Sequence, residues 1–99
     1  MGRIYQIYGQ DAHDMTVRLL EAADAVRFAP PGGTVALKPN LVVSGSAENG
    51  AVTHAGVLSG CVEYFREHGV SDVCIMESSW VGEDTLRAMR AAGYDEVCR

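Results

Sequence analysis

Two polar residues, Lys38 and Asn40, stand directly after an apolar run and are the first candidates for chemistry. The run, residues 34–37 (Thr-Val-Ala-Leu), is typical of a buried β-strand. Pro39 lies between the two polar residues and cannot donate to a sheet ladder, so it predicts the end of the strand. Ligands of open α/β proteins bind at the carboxyl ends of the strands. We therefore interpret Lys38 and Asn40 as candidate ligand-binding residues.

Thr53 is the next candidate, because it precedes a pattern of apolar residues at helical spacing: Val57, Cys61, Val62 and Phe65. The pattern predicts a helix that Thr53 caps and that Gly69 ends. The first N–H groups of a helix and the positive end of its dipole favour anions, and Lys38 beside them would add a cation. Two alternatives stay open: Thr53 is a cap alone or also faces a ligand, and Lys38 binds an anion or is a solvated loop lysine.

Glu77 follows a second buried run, residues 72–76, and is the candidate acid or base. A carboxylate in that position is partly desolvated unless it has a partner, and Lys38 is the partner that we expect. The pair is either structural or catalytic. His54 is a second candidate acid–base residue, and Ser78 is a candidate ligand-binding residue. No second histidine stands at ligand spacing, so we predict no metal site.

Other familiar motifs are missing from the sequence. Ser78 and Ser79 do not form a G-x-S-x-G elbow, and neither a P-loop nor a dinucleotide-binding glycine pattern occurs. His13 and His68 are most simply interpreted as surface residues. These observations disfavour a serine hydrolase of the elbow type and a nucleotide-binding loop.

The elements that position these residues alternate between strands and helices. Residues 4–8 alternate aromatic and β-branched side chains and predict a first strand. Asp11 or Asp14 caps the following helix, and residues 83–93 predict the last one. Residues 94–98 predict a further strand. The order β-α-β-α-β-α-β predicts an α/β fold, with a mostly parallel sheet of three to four strands and helices packed on it, in a single domain over residues 1–99.

Composition narrows the classes of partner and compartment. The 99-residue chain has a net charge of −5, which disfavours nucleic-acid binding, and 47% hydrophobic residues, which predicts a folded core. We interpret Cys61 and Cys74 as small core residues in a reducing compartment, and we expect Cys98 to be exposed. Neither a signal peptide nor a membrane-spanning run is present, so we predict a cytoplasmic protein without membrane contact.

Residues 35–94 resemble the family grouped as domain of unknown function 362. The resemblance rests on Val35-Ala-Leu-Lys-Pro-Asn-Leu41, Thr53 at the start of a helix, Glu77-Ser78 after a strand, and Gly93-Tyr94. Ala55 departs from the pattern, because family members often have proline early in this helix. The resemblance covers about half of the usual domain and implies that the chain is the N-terminal segment of a larger domain.

Two classes of function follow from this resemblance and from the residues. The first is an uncharacterised small-molecule lobe that binds anions and belongs to a larger, iron–sulfur-linked protein. Many relatives carry a downstream ferredoxin-like region, but this sequence has no cluster motif, so we assign no cofactor to it. The second is a non-catalytic module that docks a redox partner or self-associates. Whether the chain takes part in catalysis stays open at this point.

Overall fold

A computed structural model of the chain describes residues 2–41, 44, 48, 50–77 and 84–98. The described residues form an α/β structure, as predicted. Its elements, in chain order, are α1 (Ala12–Ala23), β1 (Thr34–Leu37), α2 (Ala55–Glu67), β2 (Asp72–Ile75), α3 (Thr85–Ala91) and α4 (Tyr94–Val97). A short 3₁₀ helix, Ala25–Phe28, follows α1.

The sheet of the described residues consists of β1 and β2, which are parallel. Thr34 is paired with Asp72 at one end and Leu37 with Ile75 at the other. The predicted parallel pairing of these two runs is therefore confirmed, with α2 as the connection between them. The predicted three to four strands are not found, since this sheet has two.

The prediction of a first strand at residues 4–8 is wrong. These residues have no strand pairing, and the side chains of Ile4 and Tyr8 are 95% and 85% exposed. An alternating pattern identifies a segment that suits a half-buried strand, but a strand forms only where a neighbour accepts and donates its ladder hydrogen bonds. No described strand lies beside this segment to do so.

The prediction of a last strand at residues 94–98 is also wrong, because Tyr94–Val97 is the helix α4. Gly93, with φ of 81°, forms the turn between the C-cap of α3, which is Ala92, and the start of α4. Asp95 and Glu96 lie in the first turn of α4, where the helix dipole favours acidic side chains. The turn and these acidic residues together favour a helix over a strand.

Helix α2 packs against α1 through two glycines that allow a close approach. A Cβ atom at Gly60 would lie 2.8 Å from the carbonyl oxygen of His13, and one at Gly56 would lie 3.1 Å from the Cβ of Ala12. The face of α2 that contacts α1 differs from the face that the apolar spacing predicts to be buried. The predicted positions are half-buried: Val57, Cys61, Val62 and Phe65. The buried residues of α2 are Leu58, Gly60 and Tyr64.

The core lies between α2 and the two C-terminal helices. Its buried members are Leu41, Val52, Leu58, Ala88 and Tyr94. Leu41 and Val52 form an isolated antiparallel bridge, so the long loop after β1 is closed at its base. This closure is what brings the two ends of the loop, and the polar residues beside them, together. In the described part of the chain, no helix has both the length and the apolar character needed to cross a bilayer.

Candidate functional site

Lys38 and Glu77 meet at the carboxyl ends of β1 and β2. Lys38 Nζ lies 2.9 Å from Glu77 Oε2, so the contact expected from the sequence is present. Their surroundings differ, because the Lys38 side chain is 77% exposed and that of Glu77 is 9% exposed. The parallel register explains the contact, since both residues follow strand ends that lie side by side.

Asn40 and Thr53 form a second contact, which corrects the predicted cap. The N-cap of α2 is His54, not Thr53. The Thr53 hydroxyl accepts a hydrogen bond of 2.9 Å from the Asn40 N–H, and the Thr53 N–H donates one of 2.8 Å to the Asn40 carbonyl. The Asn40 side-chain amide donates to the carbonyl of Ala51 at 2.8 Å. Thr53 therefore closes the loop instead of capping the helix.

Tyr94 supports the contact between Asn40 and Thr53, a role that no sequence pattern assigned to it. Its side chain is 1% exposed, and its hydroxyl donates a 2.6 Å hydrogen bond to the carbonyl of Thr53. Burial of the phenol raises the pKa of Tyr94, and the charge of Glu77 raises it further. The phenol is therefore held in the protonated form that donates this bond. The position of Tyr94 after a helix-ending glycine gave no indication of this role.

Lys38 and Thr53 share a shallow cavity on one side of the β1 end. Its volume is about 250 Å³. The remaining lining residues, mostly apolar, are Ala36, Leu37, Pro39, Val57, Leu58 and Cys61. Glu77 is not among the lining residues and reaches the site through its contact with Lys38. The arrangement thus has an exposed ammonium and a hydroxyl above an apolar floor.

The other candidates from the sequence lie in different positions. His54 is exposed at the start of α2, next to Thr53, and its side chain does not cap the helix. Ser78 lies outside the described residues. His13 is turned away from this group and contacts Ser59 and Glu63 of α2. Among the described residues, no group of three or more His, Cys, Asp or Glu side chains is placed to hold a metal ion.

The thiols of Cys61 and Cys98 should differ in reactivity. Burial raises the pKa of the Cys61 thiol, whereas Cys98 is exposed. Because the thiolate is the reactive form, we expect iodoacetamide at pH 8 to alkylate Cys61 on the order of tenfold more slowly than Cys98. Mass spectrometry of peptides from timed samples measures both rates. A Cys98→Ser control should lose the fast reaction alone, and equal rates would contradict the burial of Cys61.

Comparison with known proteins gives a family but no relative of known activity. No curated protein and no solved structure matched the chain. The family model described as Domain of unknown function (DUF362) matches residues 35–99, which include all of β1 except Thr34, the Lys38–Glu77 contact and the loop closed by Asn40 and Thr53. The match spans more than half of the chain, so this protein belongs to the DUF362 family.

Proposed function

We propose that this chain is the small-molecule-binding lobe of a larger protein and that it binds small anions at the carboxyl ends of β1 and β2. One observation carries the proposal. Lys38, the only lysine of the chain, is held beside Glu77 and remains 77% exposed at a cavity that it shares with Thr53. A cation that is oriented and still accessible is suited to a carboxylate or phosphate ligand.

The charges around Lys38 support a local attraction for anions, although the chain as a whole is acidic. An ammonium has three N–H donors, and Glu77 uses one of them at 2.9 Å. Helix α2 begins at Ala55, beside Thr53, and has no side-chain cap. The N–H groups of its first turn and the positive end of its dipole therefore add to the attraction.

Asn40 and Thr53 would contribute through the hydrogen-bonding groups that their contacts with the loop do not use. The Thr53 hydroxyl accepts from Asn40 and keeps its own hydrogen as a donor. The Asn40 side chain donates to Ala51 and keeps its carbonyl oxygen as an acceptor. A hydroxy acid offers both an anion for Lys38 and a hydroxyl for Asn40, so it is the ligand type that these groups match best.

Glu77 is the residue that we propose as acid or base, with His54 as the second candidate. The Glu77 side chain is 9% exposed and lies beside the Lys38 ammonium, so a ligand on Lys38 would come within reach of its carboxylate. His54 is exposed beside Thr53 and would contact a ligand only at the mouth of the site. Ser78, which follows Glu77 in the chain, is proposed as a further ligand-binding residue.

The Lys38→Gln substitution should weaken anion binding about tenfold. A charge-assisted hydrogen bond contributes about 1.5–3 kcal/mol, and 1.4 kcal/mol corresponds to a factor of ten in Kd. We expect the variant to fold, because the glutamine amide still has N–H groups that can donate to the carboxylate of Glu77, which is 9% exposed. Amide chemical shifts followed by NMR during titration with phosphate and with lactate give the affinity of the unaltered chain and of the variant, and ¹³C reductive methylation of Lys38, the single lysine, adds a direct reporter in the unaltered chain.

Arg87→Gln is the matched control, because Arg87 carries the same charge and is exposed on α3. Its affinity for either anion should equal that of the unaltered chain. Amide shifts during the titration should centre on residues 38–41 and 53–57. Shifts confined to other residues, or equal affinities for the Lys38 and Arg87 variants, would refute the proposed site.

A second candidate function is a module that self-associates or docks a redox partner. It is favoured by large apolar side chains that are exposed in the described residues: Ile4, Tyr8, Phe28, Met76 and Leu86. Where such side chains adjoin one another, the resulting apolar patch marks an interaction surface in soluble proteins. Sedimentation over a range of concentrations tests this candidate, because a monomer that persists at high concentration would count against self-association.

A further inference from the structure

His13 links two side chains of α2 and so forms a chain of three polar residues outside the Lys38 site. His13 Nδ1 lies 2.7 Å from Ser59 Oγ, and His13 Nε2 lies 2.9 Å from Glu63 Oε2. Ser59 and Glu63 are four residues apart on α2 and therefore project from the same face. His13 belongs to the first turn of α1, so the contact depends on the close packing of the two helices.

The hydrogen-bond roles in this group follow from its chemistry. An ionised carboxylate only accepts, so the proton between Glu63 and His13 belongs to Nε2. In the neutral imidazole, Nδ1 then has a free lone pair that can accept a proton from Ser59. The Ser59 hydroxyl donates to the carbonyl of Gly56 at 3.0 Å, and rotation about the Cβ–Oγ bond redirects its hydrogen to His13 Nδ1.

We propose that Ser59, His13 and Glu63 form an acyl-transfer site that hydrolyses small uncharged esters. Ser59 would be the nucleophile, His13 the base and Glu63 the group that orients the base. The distances from His13 to Ser59 and to Glu63 both lie within hydrogen-bond reach, as such catalysis requires. The two ring nitrogens have exchanged places relative to the familiar serine protease arrangement, in which Nε2 faces the serine. Either nitrogen is chemically able to act as the base once the other is protonated.

Access and charge stabilisation are available at this position. The His13 and Glu63 side chains are 39% and 46% exposed and Ser59 is half-buried, so the group lies at the surface, where an ester can approach from solvent. The first N–H groups of a helix have no acceptor within it, and Asp11 caps that of Asp14. The N–H groups of Ala12 and His13 are then the candidate donors to an oxyanion. A Cβ at Gly56 would lie 3.3 Å from His13 N, which places this end of α1 against the turn that precedes Ser59.

The reaction divides into two balanced steps. Ser59 Oγ forms a bond to the carbonyl carbon of the ester, its proton moves to His13 Nδ1, and the alcohol leaves with that proton as the C–O bond breaks. A water molecule then attacks the acyl-serine and gives a proton to His13. The bond from carbon to Oγ breaks, and His13 returns the proton to Ser59. Ester and water become acid and alcohol, and no other reactant is needed.

A fluorophosphonate probe tests the site on the whole chain. The probe should lose fluoride and phosphonylate one residue, and tandem mass spectrometry should map the adduct to Ser59 in the unaltered protein. The His13→Gln variant keeps hydrogen-bonding capacity but lacks the base, and we expect labelling about 100-fold slower. His68→Gln is the matched control, since His68 contacts the carbonyl of Tyr64, and it should label at the unaltered rate.

Hydrolysis of 4-nitrophenyl acetate gives a second readout. A burst of one nitrophenolate per chain, lost in Ser59→Ala and retained in His68→Gln, would support the acyl-serine. An adduct mapped to another residue, or labelling of His13→Gln at the unaltered rate, would overturn the proposal and leave the three residues with a structural role between the helices. Because the adduct is mapped on the unaltered chain, the identification of Ser59 as the labelled residue does not depend on the folding of any variant.

Discussion

Replacing Tyr94 with alanine should lower the free energy of unfolding by about 3–5 kcal/mol, the range found when buried aromatic side chains are truncated to alanine. Tyr94 is 1% exposed and belongs to the core with Leu41, Val52, Leu58 and Ala88. The variant would leave a cavity between α2 and the C-terminal helices. It would also remove the hydrogen bond to the Thr53 carbonyl. Urea denaturation followed by circular dichroism measures the loss.

Tyr94→Phe separates the two contributions. It keeps the ring and removes only the hydroxyl that donates to the Thr53 carbonyl at 2.6 Å. We expect a loss of about 1–2 kcal/mol, because a partly buried carbonyl is left without its partner. Tyr8→Ala is the control, since Tyr8 is 85% exposed and should lose almost nothing. Equal losses for Tyr94→Ala and Tyr8→Ala would contradict the placement of Tyr94 in the core.

Tyr94 also connects the C-terminal helices to the proposed anion site. Its hydroxyl holds the backbone of Thr53, and Thr53 in turn holds Asn40. The Tyr94→Phe variant should therefore shift the amide signals of Thr53 and Asn40 even where the protein stays folded. The same shifts should be absent in Tyr8→Ala, which contacts neither residue.

Replacing Gly60 with valine should lower the free energy of unfolding by about 3 kcal/mol or more. A Cβ at this position would lie 2.8 Å from the His13 carbonyl and 2.9 Å from the Cβ of Thr16, and both distances are too short for real contacts. The clash involves backbone, so α1 and α2 must separate, and overpacking of this kind typically costs about 1–3 kcal/mol. Valine adds two methyl groups to the clash, and its small gain in helix propensity over glycine does not offset this cost.

Gly2→Val is the matched control for Gly60→Val, because nothing lies within 4 Å of a Cβ at Gly2. Its midpoint of urea denaturation should equal that of the unaltered protein. Separation of the helices should also break the contacts of His13 with Ser59 and Glu63. If Gly60→Val were as stable as Gly2→Val, the close packing of α1 against α2 would be refuted.

Local sequence patterns predicted those parts of the fold that depend on neighbouring residues or on the pairing of two strands. Asp11 caps α1 as expected, and its carboxylate accepts from the N–H of Asp14. Asp84 caps α3 in the same way. The Lys38–Glu77 contact was also predictable, because the parallel pairing of two apolar runs places the residues that follow them side by side. Each of these features depends on a short pattern or on one simple pairing rule.

Features that depend on packing between distant segments were not predictable. The sequence favoured a strand at residues 4–8, but the pattern carries no information about whether a neighbour is available to pair with it. Thr53 was expected to cap α2, whereas the bridge between Leu41 and Val52 brings its hydroxyl to Asn40 instead. His13 was interpreted as a surface residue, because no signal near it in the sequence indicates a partner. Its partners Ser59 and Glu63 lie 46 and 50 residues away along the chain.

The spacing of Gly56 and Gly60 is a signal in the sequence that could have indicated a close helix contact near His13. Two glycines four residues apart lie on the same face of a helix and let another helix approach closely. That spacing indicates a close contact but does not identify the partner helix. The rotation of α1 about its own axis then decides whether His13 faces Ser59 or solvent.

The amino-acid sequence by itself determined the parallel strand pair, the N-caps of α1 and α3 and the meeting of Lys38 with Glu77. These depend on hydrogen-bonding patterns and turn chemistry that act over a few residues, or on a register that repeats along two strands. The tertiary structure alone decided that Tyr94 holds Thr53 and that His13 bridges Ser59 and Glu63. Such contacts follow from the way helix faces pack, and packing is a property of the whole chain.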